Sequence, residues 1–153
     1  MVTPSKPLAG RKAFVTGGAK GIGAAIVRRL AADGAQVSIA DLDIAAARVL
    51  AQEVRGTAIE LDVTDLALVA NSILAHGPFD ILVNDAGVDQ HAFFTRTTPD
   101  DWRRLIAINL ESVFATTHAA LPAMQAAGFG RLINIASEAG RLGSRGGAVY
   151  AAA

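Results

Sequence analysis

Gly17, Gly21 and Gly23 stand in "TGGAKGIG", between the apolar run "KAFVT" and a stretch with apolar residues at helical spacing. Glycines there allow a tight turn and let the backbone approach a pyrophosphate at the N-terminus of the following helix. Their spacing differs from the commonest dinucleotide fingerprint, G-x-G-x-x-G. Asp41 follows about 20 residues on, where an acid accepts hydrogen bonds from adenosine ribose hydroxyls. It could also cap the next helix, a task that Asp43 could perform equally well. A carboxylate at that place repels a 2′-phosphate and favours NAD, whereas Lys20, a cation inside the turn, could pair with that phosphate. Asp41, adjacent to the 2′ position, tips the reading to NAD over NADP. Tyr150, in the closing "GGAVYAAA", is either a packing residue at a helix start or half of a catalytic pair whose other half falls past Ala153.

These residues need elements to position them. "KAFVT" (12–16), "AQVSIAD" (35–41), "TAIELDV" (57–63), "FDILVNDAG" and "GRLINIAS" (130–137) read as five strands. Between them lie the helical patterns "GIGAAIVRRLAADG", "LDIAAARVLAQEV", "LALVANSILAHG" with Asp65 as cap, and a long stretch opened by Thr98 and Pro99. Pro122 is expected to kink that last helix near its end. Such alternation predicts an α/β fold, a doubly wound parallel sheet covered on both faces, in a single domain over residues 1–153.

Composition narrows the function. Half of the 153 residues are apolar, 18% are charged, and 14 basic side chains balance 14 acidic ones, so no field attracts nucleic acid or an anionic membrane. The absence of cysteine excludes disulfides and thiol catalysis. "MVTPSKPLAGRKAFV" has no apolar run of the secretory kind, and no 18-residue apolar segment exists, so a soluble cytoplasmic protein is expected. His76, His91 and His118 lack metal-ligand spacing and predict no metal; His91, after the fourth strand, is a weak candidate for substrate contact. Trp102 reads as core or interface.

On these motifs the chain resembles the short-chain dehydrogenase/reductase family over nearly its whole length. "TGGAKGIG" matches the family's T-G-x-x-x-G-x-G at every fixed position, and Ile22 and Leu42 flank the cofactor segments. "LDV" is similar to the family's adenine-binding segment, in which Asp62 would accept from the adenine amino group and Val63 would line the base. "NDAG" resembles N-N-A-G, with Asn84, Ala86 and Gly87 in place and Asp85 replacing the second asparagine. The resemblance assigns Asn109 to the proton-relay water, Ser137 to the substrate oxygen, and the acid/base role to Tyr150, which also borders the cofactor. It implies a Rossmann-type fold, an oxidoreductase moving hydride between a nicotinamide cofactor and a secondary alcohol or ketone, and a homotetramer paired through the long helix. An NADP-linked 3-oxoacyl thioester reductase is the alternative within the family. An inactive nucleotide-binding fragment is the alternative outside it.

The residue types suit this chemistry. A group within hydrogen-bond reach must move the hydroxyl proton as hydride moves. Tyrosine unaided is a weak base, since its reference value of about 10 places ionisation near pH 7 about 4 kcal/mol away. A neighbouring ammonium and the positive nicotinamide ring offset that cost, and a serine hydroxyl donates to the developing alkoxide. The family's lysine, four residues after the tyrosine, would fall one past Ala153. The resemblance therefore implies a longer working enzyme, with two further strands, and a 153-residue chain expected to be insoluble or inactive alone, its fifth strand an uncovered edge.

Overall fold

The computed structural model describes residues 6–153, and the polar lead-in before the first strand lies partly outside them. Strands β1 (Lys12–Thr16), β2 (Gln36–Asp41), β3 (Thr57–Glu60), β4 (Ile81–Asn84) and β5 (Arg131–Asn134) form one parallel sheet of order β3-β2-β1-β4-β5. The chain builds outward from β1 to β3 and then crosses back to place β4 on the other side of β1. That reversal leaves a crevice beyond the carboxyl ends of β1 and β4, where open α/β sheets take ligands.

Successive side chains of β1 point to opposite faces and join different cores. Ala13 and Val15 pack with Ala24 and Val27 of helix α1 (Gly21–Ala32) and with Ala47 and Leu50 of α2 (Ile44–Val54). Phe14 goes the other way, to Val69 and Ile73 of α3 (Leu66–His76) and to Ala120 and Met124 of α5 (Ser112–Ala126). Its ring meets Phe79 edge-on at 5.1 Å. Fully burying a side chain such as Phe14, Leu82 or Val83 contributes roughly 1.5–3 kcal/mol, so the two cores fix the strand register.

Polar caps set where the helices begin. Asp43 accepts from the Ala46 N–H and starts α2, Asp65 accepts from Leu68 N–H and starts α3, and Thr98 with Asp101 forms a reciprocal capping box at α4 (Pro99–Ile106). Two short helices, α6 (Ala139–Leu142) and α7 (Ala148–Ala152), close the described chain.

The structure departs from the expected helix at two places. Pro122 does not interrupt α5, which runs on to Ala126. Pro122 and His118, whose carbonyl loses its partner to the proline, are both exposed, which leaves that carbonyl open to solvent. The irregularity lies earlier, in a π turn over Ala107–Glu111 that links α4 to α5. The strands are also shorter than their apolar runs, because residues 61–63 and 135–137 extend past the ladder toward the crevice. Among the described residues β5 pairs with β4 alone and exposes Leu132 and Ile133.

Candidate active site

A cavity of about 1000 Å³ occupies the crevice. Gly17, Lys20, Gly21, Ile22, Asp41, Leu42, Asp62, Val63, Asn84, Ala86, Gly87, Asn109, Ser137 and Tyr150 all line it. Gly23 does not, since it is buried in the first turn of α1 behind the glycine loop.

The loop is shaped by close backbone approach. Gly17 has φ +63°, and a Cβ there would lie 2.8 Å from the Cα of Ala86. A Cβ on Gly23 would lie 2.2 Å from the Gly17 carbonyl oxygen. The hydroxyl of Thr16 accepts from the N–H groups of Asp85 and Ala86, each at 3.2 Å, and so ties the end of β1 to the segment after β4.

Asp41 is held by its own neighbourhood. One carboxylate oxygen accepts from Ala19 N–H at 3.0 Å and the other from Asp43 N–H at 2.9 Å. Asp43 is thus the helix cap, and Asp41 braces the glycine loop with lone pairs left for further donors. Lys20 pairs with Asp43 at 2.6 Å, which holds the half-buried Asp43 carboxyl below the usual range. Asp62 is also held low, first by the Thr64 hydroxyl at 2.7 Å and then by the Thr64 N–H at 2.9 Å.

Asp85 behaves differently. Burial pushes its carboxyl above the ordinary range, and a hydrogen bond from Gly23 N–H only partly offsets this. A raised folded-state value means that the native protein binds more protons than the unfolded chain between the two values, so stability falls as pH rises through that window. Asp85→Asn, which keeps an acceptor for Gly23 and removes the charge, is expected to raise Tm at pH 7 by about 1–3 °C. The gain should vanish below the ordinary carboxylate range, a comparison made by thermal melts across pH.

Three elements bring the candidate catalytic residues together. Asn109 sits on the π turn, a device that often marks functional sites. Its amide accepts from Val88 N–H and donates to the Val88 carbonyl, each at 2.9 Å, and each polar atom retains capacity for one more bond. Ser137 follows β5, and its oxygen accepts from Ala139 N–H at 3.2 Å, leaving the hydroxyl hydrogen free to donate. Tyr150 comes from α7 and is half-buried.

Asn84 lies deeper, 5% exposed, and its amide is fully directed into the protein. It donates to Asn134 at 2.9 Å and accepts from Thr116 at 2.8 Å, which knits β4 to β5 and α5. Sequence reasoning missed Thr16, Thr116, Asn134 and Gln90. Thr16 adjoins the glycine turn, and Thr116 lies two helical turns after Asn109, so a stricter use of spacing points to both. Gln90 carries no local signal.

The remaining candidates lie elsewhere. His91 is exposed beside Asp89 at 3.6 Å and does not line the cavity. His76 bonds the Ser72 carbonyl, and Trp102 bonds Thr97 at 2.7 Å while stacking on Phe94. Among the described residues no cluster of three or more His, Asp or Glu could hold a metal, and no helix is long and apolar enough to cross a membrane.

The parallel sheet, its reversal beside β1 and the glycine loop at the crevice define a Rossmann-type α/β protein. The sequence matches the short chain dehydrogenase family over residues 11–153, and the chain belongs to that family of oxidoreductases, whose members use nicotinamide cofactors. It is 36% identical to 2,5-dichloro-2,5-cyclohexadiene-1,4-diol dehydrogenase LinX of Sphingobium indicum, over 95% of this chain and 62% of that protein. It is 40% identical to trans-4-hydroxycyclohexanecarboxylate dehydrogenase of Sinomonas cyclohexanicum (97% and 63%) and 41% identical to acetoacetyl-CoA reductase of Shinella zoogloeoides (94% and 61%). A solved short chain dehydrogenase/reductase family protein superposes with TM-score 0.92 at 32% identity, covering 95% of this chain and 63% of its own. The chain therefore spans about three fifths of the length of the relatives it matches.

Proposed function

We propose that this chain is the nucleotide-binding and catalytic part of an NAD-linked dehydrogenase of secondary alcohols, reversible to ketone reduction. One observation carries the reading: Asn109, Ser137 and Tyr150, from three separate elements, line the same cavity as the glycine loop and Asp41. The loop suits a pyrophosphate, since its close packing leaves no room for side chains at Gly17 and Gly23. Asp41 and Leu42 would meet the adenosine ribose, Asp62 and Val63 the adenine, and the segment from Asn84 to Gly87 the path toward the nicotinamide. When bound, that cofactor accepts or delivers the hydride.

The chain's own residues handle the proton and the charge. The Tyr150 phenol exchanges a proton with the substrate oxygen, within a site where Ser137 donates to that same oxygen. Asn109 holds the backbone at Val88 and so fixes the loop along which substrate would enter. By family resemblance the working form is a cytoplasmic homotetramer acting on a small alcohol or ketone. The cyclic-alcohol dehydrogenases among the relatives make a ring-bearing secondary alcohol the first substrate class to try.

The engagement of Lys20 by Asp43 supports NAD over NADP, because the cation that could receive a 2′-phosphate already has a partner. The test is a paired titration with NADH and NADPH followed by a screen of secondary alcohols. Asp41→Ala is expected to weaken NADH by about 10- to 100-fold, the loss of charged hydrogen bonds, and to weaken NADPH by less, because removing the carboxylate also relieves its repulsion of the 2′-phosphate. Tighter NADPH binding by the parent protein would favour instead a 3-oxoacyl thioester reductase, which the acetoacetyl-CoA reductase relatives also support.

A further inference from the structure

We infer that Gln90 is a positioning residue for Tyr150, an inference that rests on the dehydrogenase reading. The first N–H groups of a helix have no partner within it. Gly147, at the cap of α7, offers no side chain to serve them. Gln90 fills that role from far away in sequence, from the loop after β4. Its side-chain oxygen accepts from Val149 N–H at 3.1 Å and from Tyr150 N–H at 3.3 Å. Its amide nitrogen donates to the Ala92 carbonyl at 2.9 Å, which fixes which way the amide faces. The residue is 8% exposed, whereas Asp89 and His91 on either side have side chains 52% and 85% exposed.

This clamp grips the backbone of the reactive residue itself. The contact sets the height and rotation of α7 over the crevice, and it joins the loop that Asn109 fixes at Val88. Asn109 and Gln90 thus hold two points of one loop, and through Gln90 that loop holds the tyrosine.

Gln90→Met keeps the size and removes both hydrogen-bonding functions, while Gln90→Glu keeps an acceptor for the two N–H groups. Gln90→Met should lower kcat with NAD and a secondary alcohol by roughly 10- to 100-fold, the cost of a misplaced reacting group. The NADH Kd should rise by no more than about 2- to 10-fold, the scale of the Tyr150 hydrogen bond, and exchange of the Val149 and Tyr150 amides, read by mass spectrometry or NMR, should quicken by about 10-fold. Gln90→Glu should recover part of both, because a carboxylate still accepts from the two N–H groups but cannot donate to the Ala92 carbonyl. A role confined to stability would lower Tm and leave kcat unchanged, and that result overturns the inference, as does an equal kcat loss in Gln90→Glu. Amide exchange needs no turnover and separates the two readings. Unchanged exchange in Gln90→Met overturns the clamp whatever the activity, whereas quickened exchange in a full-length protein whose parent oxidises no alcohol overturns the dehydrogenase reading and leaves the clamp standing.

Discussion

Tyr150→Phe is expected to lower kcat for oxidation of a secondary alcohol by about 10³-fold, within the range removed with a general acid/base group. The substitution keeps the ring, its packing in α7 and the backbone contacts to Gln90, because those contacts use main-chain atoms. What it removes is the hydroxyl. Ser137 still donates to the substrate oxygen, but its own oxygen is engaged by Ala139 N–H. The NADH Kd should rise by only about 2- to 10-fold, the scale of one hydrogen bond, since the glycine loop and Asp41 hold the far end of the nucleotide. Steady-state kinetics with a parallel fluorescence titration separates these effects. A variant that keeps kcat within tenfold of the parent would remove Tyr150 from the chemistry and return it to packing.

Much of the fold could be read from local pattern because local forces set it. β1, β2 and β4 are buried on both faces, so their apolar runs are nearly continuous, and Asp43, Asp65 and Thr98 cap the helices that their positions announce. The glycine turn is legible for the same reason, since close approach admits no side chain. Contacts that join distant segments are not legible in this way. Asn84 meets Asn134 across 50 positions and Gln90 meets Tyr150 across 60, and neither residue differs in type from one that would face water. Asp85 was visible as a departure from N-N-A-G, but its burial against α1 depends on how the loop folds over β1. The π turn at Ala107–Glu111 follows no local signal either, whereas Pro122, a strong breaker by type, is accommodated because its side of the helix faces water.

Gly23→Ala is expected to damage both fold and cofactor binding, although alanine is the better helix former by nearly 1 kcal/mol. Gly23 lies inside α1 with ordinary helical backbone, so helix propensity alone predicts a gain. Packing predicts the reverse. The added methyl would sit 2.2 Å from the Gly17 carbonyl oxygen and 2.6 Å from a carboxylate oxygen of Asp85. The first is main chain and cannot swing aside, so the loop from Gly17 to Gly21 must move off the helix. Forced overpacking costs roughly 1–3 kcal/mol, and at the upper end Tm falls by about 5–10 °C. The displaced loop is the one that would cradle the pyrophosphate, and it also carries Ala19, whose N–H holds Asp41. NADH affinity should therefore fall by about 100-fold, the cost of misplacing several polar contacts together. Asp85→Ala combined with Gly23→Ala, which removes the carboxylate oxygen, should not restore binding, because the Gly17 carbonyl remains in the way. Melting curves and NADH titrations on the single and double variants test this directly, and recovery in the double variant would shift the cause from the loop backbone to the Asp85 side chain.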